Sequence, residues 1–280
     1  MADGIARSEA QSWDFGRDLR GYVWRAPQAR ANLLLTHGFA EYAERYVAHY
    51  SQLIPRLNVL GFDVYAFDLR GHGRSPGARG VADVKQAIAD HQAARVALAA
   101  DAKPLFLFGH SLGGLITAAS VAANEDKISG VVLSAPALLI TAPAHLRAIA
   151  NIFSVLSPGL RLLPTTDASA ISRIDAEVEA YKNDPMISAL SIPARVGATA
   201  LAATEAAWTR YPRWTAPVLV LHGEQDTLTD VNGSKRFIET VGAKDKHLEL
   251  YPDGRHELMN DRDRDAAMAV ISSWLSARVA

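Results

Sequence analysis

The sequence contains no cysteine, which excludes disulfide bonds and thiolate metal sites and fits a reducing, cytoplasmic environment. The sequence also lacks an excess of either charge: it contains 29 Lys and Arg residues and 30 Asp and Glu residues, for a formal net charge of −1. No basic field therefore indicates nucleic acid as a partner. Residues 1–11 contain Asp3, Arg7 and Glu9 but no apolar stretch, so we expect no secretory signal there.

Long apolar segments are scarce. Residues 104–124 and 128–146 lack formal charge over lengths close to a bilayer span. Glycines interrupt the first stretch and prolines the second, so we interpret 104–124 as a buried strand, a sharp turn and a buried helix. No clustered set of metal ligands is visible either, and we expect neither a metal nor an organic cofactor.

Short apolar runs alternate with helical segments along the 280 residues, and this pattern predicts an α/β fold with a mostly parallel sheet covered by helices on both faces. An antiparallel hairpin is expected near the start, from residues 13–15 and 19–25. Apolar residues between 267 and 275 recur at helical spacing and predict a closing amphipathic helix. The six predicted core strands are residues 32–36, 62–67, 105–108, 131–134, 218–222 and 248–251.

The alternation stops between residues 136 and 212. This segment has scattered prolines, several helical patches and no convincing strand, and it is too long for a plain connection. We therefore predict a helical cap at 136–212, inserted into a core made of residues 1–135 and 213–280.

The strongest local motif is Gly109-His110-Ser111-Leu112-Gly113. A predicted strand precedes it and a helix follows, which is the strand–turn–helix context that a nucleophilic serine elbow requires. The serine then sits in a strained backbone conformation, and its neighbours two residues away must be small. Ser111 is the predicted nucleophile.

A serine hydroxyl needs a histidine base, and the histidine needs a carboxylate that fixes its tautomer. In this fold the chain order is serine, acid, histidine, and Asp226 and His256 each follow a predicted strand at the same sheet edge. The competing acids are Glu224, too close to its strand end, and Asp230, which we expect to cap a helix. The competing histidine, His247, is expected to begin a strand.

A tetrahedral oxyanion also needs backbone donors. We expect one to be the N–H of Leu112 and the other the N–H of Phe39, in the loop after the strand that ends at residue 36. The alternative for His37-Gly38 is that this dipeptide only shapes a turn. The glycine-rich loop at 68–75 is expected to be structural, with Asp68 and Arg70 bonded to neighbouring backbone.

Together these motifs resemble the monoacylglycerol lipase and lysophospholipase branch of the α/β hydrolases. The similarity spans nearly the whole chain, and its most specific piece is a family pattern H-G-x-G-E-H-x-x-R-Y, which appears here as H-G-F-A-E-Y-A-E-R-Y. Ala40 replaces the family glycine and Tyr42 the family histidine. Other shared positions are the loop at 68–75, Ser111, Asn183-Asp184-Pro185, Asp226 and His256.

The resemblance implies a bacterial-type monoacylglycerol lipase, whose partner is a small lipid ester. Glu41 and Arg45 either reach the glycerol head or form an ion pair that braces the loop. The apolar residues of the cap either line an acyl tunnel, touch a membrane or lipid surface, or form the cap's own small core. They are Leu146, Ile149, Ile152, Phe153, Leu156, Leu160, Leu162 and Leu163, of which Ile149, Phe153 and Leu156 are the predicted substrate contacts.

Four alternatives keep the same scaffold. A broad carboxylesterase or lysophospholipase would use the same triad, and a peroxide-using enzyme is a more distant relative of the fold. A catalytically inactive binding protein is disfavoured because no triad position is missing. A proline-type aminopeptidase is disfavoured because no acidic pocket for an amino terminus is evident. The sequence leaves the oligomeric state open.

Overall fold

The computed structural model describes residues 9–161, 167–188 and 191–279. Within them, eight strands form one sheet in the order β1-β2-β4-β3-β5-β6-β7-β8, antiparallel at β1-β2-β4 and parallel elsewhere. All six predicted core strands are present. The strands are β1 (Gln11–Ser12), β2 (Gly21–Trp24), β3 (Ala31–Thr36), β4 (Phe62–Phe67), β5 (Leu105–His110), β6 (Ile128–Ser134), β7 (Val218–Gly223) and β8 (Lys246–Tyr251).

The helices of the described residues cover both faces of this sheet. Successive strand residues alternate between two apolar layers, because side chains of a strand point to opposite faces. Leu34 and Leu107 pack in the layer that contains the helices at 84–98 and 111–123. Leu35 and Phe108 pack in the layer that contains the helices at 53–59 and 264–276. The helices are α1 (Arg45–Ala48), α2 (Leu53–Val59), α3 (Val84–Leu98), α4 (Ser111–Ala123), α5 (Ala144–Leu156), α6 (Asp175–Asn183), α7 (Ala194–Trp208), α8 (Val231–Thr240) and α9 (Arg264–Ser276).

The predicted hairpin exists, but its first strand was placed wrongly. The strand is Gln11–Ser12, and not residues 13–15. Trp13 and Phe15 are apolar for another reason: their rings stack at 4.9 Å, and they pack on Tyr65 and Phe67 of β4 on one face of the sheet. An aromatic pair that covers a sheet face therefore has the same composition as a strand.

Residues 136–212 contribute no strand to the sheet in the part that the structure describes. Helices α5, α6 and α7 lie here between β6 and β7, as predicted. Helix α7 packs against α3 and α4, and α5 packs against α7. Among the helices of the described ranges, none has the length and apolar composition needed to cross a bilayer.

Candidate active site

The sharp turn at Ser111 joins β5 directly to α4. Ser111 has φ +53°, a left-handed conformation that is strained for a residue with a side chain. A Cβ on Gly109 would lie 2.6 Å from the carbonyl oxygen of Gly113, and a Cβ on Gly113 would lie 2.2 Å from that of Thr36. Only glycine fits at both places, so the predicted steric demand of the elbow is present.

The structure brings Asp226 and His256 together. They follow β7 and β8, and Asp226 Oδ2 lies 2.7 Å from His256 Nδ1. The competing residues are engaged elsewhere. Asp230 caps α8 by accepting from the Asn232 N–H at 2.9 Å. Glu224 pairs with Lys235 at the surface, and His247 lies within β8 beside Glu249.

The Asp226 carboxylate has further contacts that the sequence interpretation missed. Its Oδ1 accepts from the N–H groups of Leu228 and Thr229, and its Oδ2 accepts from Thr229 Oγ1 at 2.7 Å. Aspartate side chains often accept from backbone N–H groups two or three positions later, so the two backbone contacts of Asp226 were detectable in the sequence. His222 Nε2 lies 3.3 Å from the same Oδ2, and only the register of β7 reveals this contact.

Electrostatics at the site favour a charged Asp226 and a basic His256. Burial disfavours the ionised carboxylate, but the charge of His256 and hydrogen bonds from His222 and His256 outweigh it and hold the pKa of Asp226 well below its usual range. Burial also opposes the charged form of His256, yet the Asp226 carboxylate raises the pKa of that imidazole above its ordinary value. The neighbouring His110 stays neutral, since burial and the charge of His256 lower its pKa to about 4.

Ser111 and His256 line one small cavity, together with the loop that carries Phe39. A Cβ on Gly38 would lie 3.1 Å from the Cβ of Ser111, so this loop passes close to the elbow. Within the described residues, the N–H groups of Phe39 and Leu112 donate to no protein acceptor. Both N–H groups are therefore free of protein acceptors, which the oxyanion role predicted for them requires.

Glu41 and Arg45 form a buried network. Glu41 Oε1 accepts from the Gly38 N–H at 2.6 Å and from Tyr46, and its Oε2 accepts from Arg45 at 3.2 Å and from Tyr50. The Arg45 guanidinium also makes two hydrogen bonds, at 2.8 and 3.1 Å, to the carboxylate of Glu257. Glu41 and Arg45 therefore form the ion pair of the second alternative, and Glu41 also lines the small cavity.

Two cavities meet at Ser111. The larger has a volume of about 520 Å³ and the smaller about 150 Å³. The smaller is lined by the acidic residues Glu41 and Glu257, whereas no acidic pocket was evident from the sequence. The larger is mostly apolar, and its apolar side chains are those of Phe39, Leu112, Ala137, Leu139, Ile140, Ile192, Val196, Ala200, Leu228 and Val231.

The three predicted cap contacts lie elsewhere. Among the described residues that line the two cavities, Ile149, Phe153 and Leu156 do not appear. Ile149 and Leu156 are exposed on α5, and Phe153 is half-buried. Helical spacing located one apolar stripe but could not show whether it faces Ser111 or solvent. Leu162 and Leu163 lie outside the described residues.

Both departures from the family pattern have a local structural consequence. Ala40 has φ +71°, a conformation that favours glycine, and its carbonyl oxygen accepts from the Ser188 N–H at 3.0 Å. Tyr42 donates its hydroxyl to Asp184 Oδ2 at 2.7 Å. Both contacts join the loop that carries Phe39 to the segment 136–212.

The loop at 68–75 is organised around its first carboxylate. Asp68 accepts from the N–H groups of Ala43 and Arg74 and from the Tyr22 hydroxyl, at 2.8 to 2.9 Å. Arg70 bonds to the backbone carbonyl of Asp18. These contacts agree with the structural role expected for the loop.

The family model described as "Serine aminopeptidase, S33" matches residues 27–263. The chain belongs to this family. As a member of S33, it is a serine hydrolase with the α/β-hydrolase fold, and the predicted fold class is confirmed.

Several of the proteins to which this chain is similar are monoacylglycerol lipases, which confirms the resemblance seen in the sequence. It is 36% identical over 256 residues to the monoacylglycerol lipase of Mycolicibacterium smegmatis, with 88% of each chain covered. Its structure matches the monoacylglycerol lipase of Paleococcus ferrophilus with a TM-score of 0.84 and 34% identity, over 94% of this chain and 100% of that one. A soluble variant of the Saccharomyces cerevisiae monoglyceride lipase, solved with a substrate analogue, matches with a TM-score of 0.83 and 25% identity, over 98% and 97%.

Proposed function

We propose that this chain hydrolyses the ester of monoacylglycerols to a fatty acid and glycerol. The observation that carries the proposal is the pair of unequal cavities at Ser111. The larger, at about 520 Å³, lies within the usual range of pockets for drug-sized ligands and suits one acyl chain. The smaller, at about 150 Å³, lies below that range and suits a small polar alcohol.

We propose the following chemistry for these residues. Ser111 Oγ attacks the ester carbon while His256 accepts its proton, and Asp226 orients the imidazole and stabilises its charged form. The N–H groups of Phe39 and Leu112 stabilise the oxyanion. His256 then protonates glycerol as it leaves, and a water molecule activated by the same imidazole releases the fatty acid.

The electrostatics of the smaller cavity favour a neutral alcohol. Glu41 and Glu257 contribute two negative charges, and Arg45 compensates only one of them. A phosphate on the leaving group would meet this excess negative charge, which disfavours a lysophospholipid with an anionic head group. An ammonium group would find no free lone pair on Glu41, because the oxygens of that carboxylate already accept four hydrogen bonds.

Product analysis on matched lipids tests the proposal. Monoolein, triolein, lysophosphatidylcholine and a short-chain ester would be offered to the wild-type chain and to Ser111→Ala as a control. We expect monoolein to be cleaved much faster than triolein, whose two further chains cannot enter the smaller cavity. Comparable rates on monoolein and triolein would contradict the proposal, and a preference for lysophosphatidylcholine would favour a lysophospholipase.

We further propose that residues 136–212 act as a cap on a core formed by 1–135 and 213–280. Ile192, Val196 and Ala200 of this segment line the larger cavity, opposite residues of the core. The hydrogen bonds from Tyr42 to Asp184 and from Ser188 to Ala40 tie the segment to the oxyanion loop. The cap thus supplies one wall of the proposed acyl site.

We also propose that α5 binds to a lipid surface and thereby holds the enzyme at the periphery of a membrane, on its cytoplasmic side. Five apolar side chains of this helix are between 38% and 76% exposed, and lipid is the environment that would cover them. They are Leu146, Ile149, Ile152, Val155 and Leu156. Substrate would then enter from the surface that the cap touches.

Vesicle sedimentation tests the lipid contact. The double variant Ile152→Glu/Val155→Glu should reduce binding to phosphatidylcholine vesicles by about tenfold or more, since each buried aliphatic side chain contributes about 1.5–3 kcal/mol. Hydrolysis of a soluble short ester should stay unchanged. Val96→Glu is a matched control, because Val96 is 74% exposed on α3. Equal binding by the double variant and the control would contradict the proposal.

A further inference from the structure

The side chain of His37 contacts the peptide group between Gly38 and Phe39. The N–H of this peptide group is the proposed oxyanion donor. Its Nδ1 lies 2.7 Å from the carbonyl oxygen of Gly38. That carbonyl and the N–H of Phe39 belong to the same planar trans peptide, so they point in opposite directions. A bond that fixes the Gly38 oxygen therefore also fixes the direction of the Phe39 N–H.

The tautomer of His37 follows from its second contact. The backbone N–H of Leu69 donates to His37 Nε2 at 2.9 Å, and a backbone N–H can only donate. Nε2 must then be unprotonated, which leaves the proton on Nδ1. The Gly38 oxygen can only accept, so Nδ1–H is the donor of the 2.7 Å bond. Every polar atom of the imidazole, which is completely buried, is used in this way.

We infer, on the basis of the oxyanion hole proposed above, that His37 is a positioning residue that keeps the Phe39 N–H directed at the oxyanion. This restraint is needed because the residues on either side of the Gly38–Phe39 peptide are fixed, but nothing else in the following contacts fixes the orientation of that peptide. The Gly38 N–H is fixed on one side by Glu41 at 2.6 Å, and Ala40 follows in a left-handed conformation. Without His37, the Gly38–Phe39 peptide can rotate and present its carbonyl oxygen to the oxyanion instead of its N–H.

Two substitutions of His37 each keep one of its hydrogen bonds and remove the other: the bond to the Gly38 carbonyl or the bond from the Leu69 N–H. In His37→Asn, the introduced side-chain amide nitrogen occupies roughly the place of Nδ1, so it can donate to Gly38. The longer side chain of His37→Gln places an amide oxygen near the position of Nε2, so it can accept from Leu69 but lacks the donor to Gly38. If His37 only anchored the loop at 68–75, His37→Gln would be the milder change.

We expect the reverse order in kcat. Loss of one oxyanion donor costs about 10²–10³ in rate, so His37→Gln should lower kcat by at least about tenfold with little change in KM, and His37→Asn should retain most of it. The affinity for a trifluoromethyl ketone, which forms a tetrahedral adduct on serine, should fall in parallel with kcat. His91→Gln is the matched control, because this buried imidazole lies on α3 and bonds to Ser120 in the second half of α4, not to the loop that carries Phe39.

Rates are measured on a soluble short-chain ester and divided by the amount of Ser111 that reacts with a fluorophosphonate. A wild-type chain without Ser111-dependent activity would refute the proposed function, whereas an active wild type with His37→Gln equal to or faster than His37→Asn would refute only the role of His37. Nitrogen NMR of the wild-type imidazole covers the case in which a variant fails to fold. A proton on Nδ1 supports the inference, and a proton on Nε2 overturns it.

Discussion

The catalytic centre and helix α5 lie on the same polypeptide but are held in opposite ways. At the centre, the side chains of Asp226 and Arg45 are buried and each makes several hydrogen bonds to fixed partners. On α5, apolar side chains such as Val155 and Leu156 are mostly exposed. The catalytic geometry is thus fixed by many bonds, whereas the apolar side chains of α5, for which we propose a contact with lipid, are exposed.

The largest expected effect comes from removing the nucleophile. Ser111→Ala should lower kcat by roughly 10⁴-fold or more, because the covalent route is lost. Folding should be little affected, and loss of the hydroxyl leaves the strained backbone in place. Steady-state rates and mass spectrometry of a fluorophosphonate adduct check this. Substantial activity in Ser111→Ala, or an adduct on another residue, would remove Ser111 from its proposed role.

The next effect distinguishes the buried acid from its exposed neighbour. Asp226→Asn should lower kcat by about 10³–10⁴-fold, because the imidazole loses the partner that fixes its tautomer. Asp230→Asn is the matched control, since this residue only caps α8 and asparagine is an equally good cap. A severe loss in Asp230→Asn and a mild one in Asp226→Asn would show that the acid is misassigned.

The pH dependence of kcat/KM tests the pairing of His256 with Asp226 in the wild-type chain, without a mutation. His256 must be neutral to accept a proton, and Asp226 raises its pKa above the ordinary value of about 6.5. We therefore expect kcat/KM on a soluble ester to fall as the pH drops through an apparent pKa above 6.5, by about tenfold per pH unit. His110, with its pKa lowered to about 4, stays neutral in this window. A midpoint well below that of an ordinary imidazole would contradict the proposed pairing.

The smallest effect concerns the junction between the two regions. Tyr42→Phe removes the hydroxyl that bonds Asp184 but keeps the ring. One lost hydrogen bond costs about 0.5–1.5 kcal/mol, so kcat on monoolein should fall by no more than about tenfold. Tyr22→Phe is a control that removes a comparable hydroxyl–carboxylate bond away from the cap. Identical kinetics for Tyr42→Phe and wild type would show that this bond does not couple cap and loop.

Some features follow from composition and spacing, and others only from tertiary contacts. The core strands and the elbow at Ser111 were predictable, because buried parallel strands are continuously apolar and a strained serine needs glycines beside it. The contact of His222 with Asp226 and the place of Glu257 in the smaller cavity were not, since they depend on how the chain folds in three dimensions. For α5, an apolar stripe gives the same signal whether it faces protein or lipid.

The ion pair between Arg45 and Glu257 has a consequence for the order of events during synthesis. The two residues are 212 positions apart, so the guanidinium can gain this partner only after Glu257 has left the ribosome. A buried charge that lacks a partner is destabilising. A truncated or nascent chain that stops before residue 257 should therefore lack one of the two carboxylates that fix Arg45, and the segment around Arg45 should pack firmly only after Glu257 has been added.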